Sequence, residues 1–382
     1  MKSTVFTLVA SALTIACLQA TAAPIGYHIS LLPEGRSYSA FNDLGQAVSG
    51  TELYDSRSGS FTTLVTAPPG WTIELQGLNN AGDAYGLMGN GSELLNVVYH
   101  AGSLRSFARE KITYTHPATG IQYPVLTMVT DISNGGELGV QWVDTFFNSY
   151  NAGRLDLVTG SVLYQGSGLF GALSDDGSLA INVSSKLRLV DADGHVQTLP
   201  YSGLEARALN DQGQLAGVSG NNGFFYGQGV LTRFRDDTPH YDAQGRLVAG
   251  IAGGSVRVND LNELGQVVGR QAAQGAGLAY LYSAGQFQYL NDITDLAGGW
   301  NIVDASAINE LGQISARACK TQLPFGGWSD CAAVLLQPDG LTQPVPEPQT
   351  GALLAAGLGA LAWLRRRAPT ATASPVTHPT GV

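Results

Sequence analysis

Asp191-Ala192-Asp193-Gly194 comes nearest to a known ligand geometry, because alternating carboxylates ahead of a glycine begin an acidic calcium loop. A complete loop needs further oxygen ligands and a downstream glutamate, and none follow, so these residues read as a turn. Arg105, Arg109, Lys111, Tyr114, His116 and Tyr123 gather cations and aromatic rings into one irregular stretch, 105–128. That combination suits a loop contacting a glycan or an acidic polysaccharide, and the plain alternative is a long loop packed over a sheet edge. Cys319 and Cys331 flank the segment 320–330, and the six histidines show no metal-ligand spacing. No Gly-x-Ser-x-Gly elbow, His-Glu-x-x-His or phosphate loop is present. The sequence therefore assigns no catalytic residue, metal or cofactor, although a triad assembled from distant segments stays open.

These groups hang on one repeated unit. LNDQGQLAGV from Leu209 recurs from Phe41, Leu78, Leu173, Leu261 and Ile308, with a weaker copy from Ile132. Each copy reads apolar, Asn or Ser, two mostly polar residues, Gly, polar, then an apolar run, which is a strand, a tight turn and a strand. A second turn follows each copy, near Gly59, Gly102, Gly160, Gly194, Gly229, Gly285 and Gly340. Each unit thus offers four short antiparallel strands. The first-turn glycines, Gly45, Gly82, Gly136, Gly177, Gly213, Gly265 and Gly312, are 37, 54, 41, 36, 52 and 47 residues apart. Propeller blades of four strands repeat at about 40–50 residues, and a helical repeat would show a 3.6-residue apolar period that is absent. The expected fold is an all-β propeller of seven four-stranded blades over 23–343. Two stacked sandwiches are the alternative architecture. Tyr241–Gly250 resembles the motif and reads as a hairpin inside the fifth unit, which keeps eight blades as the second count. Phe146-Phe147 and Phe224-Phe225-Tyr226 are expected between blades. The segment 27–32 has the phase of a last strand, so it is expected to pair with the final blade and close the ring, in competition with 341–345.

The ends of the chain are not propeller. Lys2, the apolar run 5–16 and Ala20-Thr21-Ala22 form a signal peptide over 1–22. Its removal takes Cys17 and leaves Cys319 and Cys331, which are expected to pair in an oxidising compartment. At the other end, 344–349 is proline-rich, 350–364 is uncharged and mostly apolar, and Arg365-Arg366-Arg367 opens a tail that runs to 382. Fifteen residues span about 22 Å of helix, short of the roughly 30 Å hydrocarbon core, so a membrane span here needs snorkelling arginines and local thinning. Arginines after the run place the C-terminus in the cytoplasm and the propeller across the inner membrane.

Val345-Pro346-Glu347-Pro348, a short apolar helix and Arg365-Arg366-Arg367 together resemble the PEP-CTERM sorting signal. The resemblance implies an exosortase as partner, transient anchoring in the inner membrane, and a Gram-negative cell that exports exopolysaccharide. The chain departs from that pattern in its extra tail, 368–382, which is rich in Pro, Thr and Ala. The repeats are similar to the extracellular HAF repeat. The match is best over 278–338, through Ala279-Tyr280-Leu281-Tyr282, Gly298-Gly299-Trp300, 307–313 and Ala333-Val334-Leu335-Leu336. That resemblance implies a surface or secreted repeat protein and supplies no catalytic residues.

Charge removes one class of partner. The formal net charge is −10, and without Lys2 and Arg365–Arg367 it is 16 basic against 30 acidic residues, or −14. Such a surface repels phosphate backbones, so nucleic acid is not expected. The favoured reading is a non-catalytic binding or structural propeller of the cell surface or matrix, with exopolysaccharide or another surface glycan as ligand. The competing reading is a secreted polysaccharide hydrolase or lyase on the same scaffold.

Overall fold

The computed structural model describes residues 26–339, apart from 117, 185, 242–246, 250–253, 274–275, 297 and 324–326. The signal peptide 1–22, the strand 341–345, the proline-rich 344–349, the helix 350–364 and the tail 365–382 lie outside the described residues. No helix among the described residues is long and apolar enough to cross a membrane.

The repeated unit folds as its pattern predicts. In each, the motif glycine sits at the turn after the first strand with φ between +69° and +85°. The apolar run that follows becomes the second strand. Seven blades result: 46–63, 72–108, 110–167, 169–198, 205–234, 255–289, and a seventh from 301–338. The Tyr241–Gly250 stretch supplies a two-stranded hairpin, His240–Tyr241 with Leu247–Ala249, and not an eighth blade.

Two blades depart from four strands. Blade 1 has three, because 39–40 do not form a continuous inner strand. Ser39 replaces it: its backbone N–H donates to the Val48 carbonyl, and its hydroxyl accepts the Val48 N–H, each at 3.0 Å. Blade 3 has five, because 105–128 is not a loop. Glu110–Thr115 and Gln122–Ile132 form a hairpin in which Tyr114 lies opposite Tyr123 and Lys111 opposite Val125.

The chain closes as expected. Tyr27–Leu31 pairs antiparallel with Trp328–Pro338, Tyr27 opposite Pro338 and Leu31 opposite Val334. Tyr27 also donates its N–H to the Ile293 carbonyl at 2.8 Å and is almost wholly buried. On the neighbouring strand pair, Cys319 lies directly opposite Cys331, and the two form a disulfide.

Apolar burial runs round the whole ring and is heaviest in the seams between blades 5 and 6 and between blades 6 and 7. Seven hydrophobic clusters occupy the seven seams, for example Val268, Ala279 and Leu281 of blade 6 against Ile302, Ala305 and Ile314 of blade 7. Middle strands are therefore covered on both faces, as Ala276–Ser283 is along nearly its whole length. Phe224 is fully buried in the blade 4–5 seam, as expected. Phe146 and Phe147 are not core: they sit at a turn tip, and Phe147 is 73% exposed, with its partner rings confined to its own blade.

Candidate functional site: the central channel and its seams

The first strands of the blades line a central channel, and the motif turns gather at one end of it. There the motif asparagine works twice. Asn309 Oδ1 accepts the N–H groups of Leu311 and Gln313 within its own turn. Its Nδ2 donates across the seam to the Asn42 carbonyl at 2.9 Å. The same seam bond runs from Asn42 to Asn79, Asn79 to Ser133, Asn210 to Asn262, and Asn262 to Asn309. A second circuit uses the next residue. Backbone N–H groups donate to side-chain oxygens of the following blade, in the order Asp43, Asn80, Asn134, Asp175, then Asp176 to Asp211, Glu263, Glu310 and back to Asp43. That circuit closes over all seven blades.

It also crowds five carboxylates. Burial, then Asp43, Glu263 and Asp175 as neighbours, pushes the Glu310 carboxyl up to about 7, although a hydrogen bond from the Glu263 backbone opposes this. Asp175 and Glu263 are raised for the same first reason.

Deeper in the channel, Asp131 rises to about 7 and Asp260 to about 6, in both cases mainly through burial. Perturbed carboxyls in a cleft are the ordinary mark of acid–base chemistry. Here the hydrogen bonds explain them otherwise. Asp260 accepts the N–H of Leu261 in its own blade and of Ile308 in the next, both at 2.9 Å. Asp131 accepts from Ile132 and from the backbone of Leu173 in blade 4. Both carboxylates fasten one inner strand to its neighbour next to a β-bulge. Both line a cavity of about 640 Å³, together with Met128, Val143, Tyr150 and Phe170 and with Arg207, Glu205 and Asn259 among its other polar groups.

The six residues expected to form one ligand-binding loop do not converge. Arg105 donates to the carbonyls of Leu157 and Val158 and so serves the blade 2–3 seam. Arg109 is half-buried beside a separate cavity of about 610 Å³. Lys111 and Tyr114 lie on the extra strand of blade 3. His116 Nδ1 accepts the N–H groups of Ala118 and Thr119 and shapes the hairpin tip. Tyr123 meets Phe146 edge-on at 4.9 Å. Sequence reasoning missed the Asn circuit across the seams, whose signal was the recurrence of Asn at one position in five of the six strong copies, with Ser174 in the sixth. It also missed Asp131 and Asp260, one residue ahead of the motif. Asp191 is held in its own turn, accepting the His195 N–H at 2.8 Å.

Sheet order, closure and channel define the class: a seven-bladed, all-β propeller closed by its own N-terminal strand. The C-terminal end then narrows its handling, because residues 344–368 match the PEP-CTERM protein-sorting motif. That motif implies export, processing by an exosortase, and passage through a membrane-anchored state to the surface. No curated protein matches the chain. Among solved structures the chain is similar to a Pyrococcus horikoshii acylaminoacyl peptidase, at 11% identity and a TM-score of 0.42, over 79% of this chain and 49% of that one. It thus spans about half the length of that peptidase. It is also similar to the Dos1 propeller, at 11% identity and a TM-score of 0.43, over 81% and 95%. The propeller domain of the Trilobed protease from Pyrococcus furiosus matches at 8% identity and 0.33, over 64% and 89%.

Proposed function

We propose that the chain is a non-catalytic polysaccharide-binding propeller of the cell surface or extracellular matrix, of the HAF-repeat kind, delivered by an exosortase in an exopolysaccharide-producing Gram-negative bacterium. The observation that carries this reading is the sorting motif at 344–368. On this reading the signal peptide 1–22 is cleaved after Ala22, and the helix 350–364, with Arg365–Arg367 behind it, anchors the precursor until it is processed. Tyr123, Phe146, Phe147 and His116 at the blade 3 hairpin offer rings for glycan contact, while Arg105 is committed to the seam. The hydrolase reading draws support from the raised Asp131 and Asp260 carboxyls. It is the weaker one, because backbone N–H groups already occupy both. Fractionation of cells with and without the exosortase tests the sorting claim. The reading expects a shortened chain at the surface in wild type and an intact, membrane-retained chain in the deletion strain. An intact chain bearing Arg365–Arg367 in wild-type cells overturns it.

A further inference from the structure

The seam between blade 7 and blade 1 differs from the others because the N-terminal segment crosses it. Leu32, Ser37 and Tyr38 from that segment, with Ser315, Arg317 and Ala333 of blade 7, wall a cavity of about 300 Å³. It meets the central channel at Ser306, which lines both cavities. Two guanidinium groups, Arg36 and Arg317, line it, and no carboxylate does. The nearest carboxylates stand outside the cavity lining, Glu52 paired with Arg36 and Asp304 opposite Arg317 in the strand register. Arg36 is held by Glu52 on one side and lies 3.9 Å over the Phe61 ring, which leaves most of its five donors unused. Arg317 forms no ion pair among the described residues. Nearby Arg270 is lowered first of all by burial; Asp304, which lies opposite Arg317 in the strand register, works against that, and Arg317 and Arg257 add to it.

An independent observation points to an occupant. Ser315 is only 7% exposed, and its hydroxyl has no hydrogen-bond partner among the described residues. A buried hydroxyl left unpaired costs stability, so its retention in a wall with two cations calls for an explanation from what fills the cavity. Ser37 and Ser306 bring further hydroxyls to the same space. Guanidinium groups match carboxylates in two-point geometry, and hydroxyls match sugar hydroxyls. The volume lies at the small end of ligand pockets, suited to one ring and not to a chain. An adjoining cavity of about 550 Å³ shares Arg36, Ser37 and Ala333 and adds the Trp300 ring, where the next unit of a polymer would lie.

We propose that this seam is a binding site for the carboxylate-bearing sugar unit of an acidic polysaccharide, with Arg317 and Arg36 taking the carboxylate and Ser315 a ring hydroxyl. The proposal rests on the polysaccharide-binding reading above and names its substrate class. Because the site joins the N-terminal segment to the last blade, its occupant also ties the ring shut and raises the melting temperature.

Calorimetric titration of the full-length chain in mild detergent with methyl glucuronide, methyl glucoside and sulfate tests it. The glucuronide should bind and raise the melting temperature, and the glucoside should do neither. Arg317→Ala should weaken glucuronide binding about tenfold or more, the loss of a charge-assisted pair. Ser315→Ala should weaken binding while leaving the free protein as stable as before or more so, an outcome that a merely structural serine would not give. Equal response to glucoside and glucuronide, or binding indifferent to Arg317→Ala, overturns the proposal. Sulfate binding as tight as glucuronide overturns its sugar component. Acidic polymer bound equally by wild type and Arg317→Ala would refute this site and leave the functional reading standing. Glucuronide binding without polymer binding would refute the functional reading instead.

Discussion

Replacing Asn309 by alanine tests whether the motif asparagine is the tie between blades. The substitution removes the acceptor for the Leu311 and Gln313 N–H groups and the donor to the buried Asn42 carbonyl. With the Gln313 side-chain oxygen, which accepts from the same Nδ2 at 2.9 Å, four hydrogen-bonded groups lose their partner, at about 1 kcal/mol each, so the cost is about 4 kcal/mol. Unfolding entropy of about 2.1 cal/mol/K per residue over a propeller of this length converts that to a fall of about 6 °C in melting temperature. Asn309→Asp separates the two roles. It keeps the acceptor within the turn, loses the donor across the seam, and adds a carboxylate beside Glu310 and Asp43. It should therefore melt as low as the alanine variant at pH 8 and recover part of the loss at pH 5. Differential scanning calorimetry at both pH values reads this out. An Asn309→Ala protein melting within about a degree of wild type would refute the tie, and full recovery of Asn309→Asp at pH 8 would show that only the turn matters.

Three further outcomes follow from named residues. The carboxyls of Glu310, Asp131 and Asp260 are raised in the folded state, so the folded protein holds protons that the unfolded chain releases. The stability they contribute is fully present below about pH 4, where unfolded carboxyls are also protonated, and is lost as pH rises from there through about 6–7, so a melting temperature that climbs from pH 5 to pH 8 would contradict it. Truncating the mature chain to begin at Ser37 removes Tyr27 and Leu32, both buried, and the strand that closes blade 7; the cost is at least about 4 kcal/mol, and an unchanged melting temperature would show that the closure carries no stability. Gly265→Val should destabilise more than Gly229→Val: both glycines have positive φ, but a side chain at 265 also meets Gln214 at 3.2 Å, whereas 229 has open space, and equal melting points would remove the contact argument.

What the sequence made legible was whatever the repeat imposes on every blade. Seven glycines at one motif position meant seven turns, and the phase of 27–32 meant a last strand; both are local patterns. The pairing of Cys319 with Cys331 followed from compartment and number. Features that depend on replacing one kind of hydrogen bond by another were hidden. Ser39 stands in for a strand backbone in blade 1 through its hydroxyl, and no apolar alternation announces that. The fifth strand of blade 3 was overlooked although Ile112-Thr113-Tyr114-Thr115 carries the β-branched and aromatic alternation of a strand, because the cations around it drew the stretch into a loop reading. Phe146 and Phe147 looked like core because composition alone cannot tell a turn tip from a seam. The cavity at the blade 7–1 seam needed both ends of the chain brought together. Ser315 reads as one more polar residue after the turn, and Arg36 lies 281 residues before Arg317.

Co-sedimentation of the processed protein with an acidic polysaccharide, followed by chain-length and reducing-end analysis of that polymer, tests the binding role. A non-catalytic binding propeller gives saturable binding that leaves the polymer at its original length. Shortened polymer or new reducing ends would mean that the channel carboxylates do chemistry, and absence of binding to any acidic polymer would contradict the binding role itself.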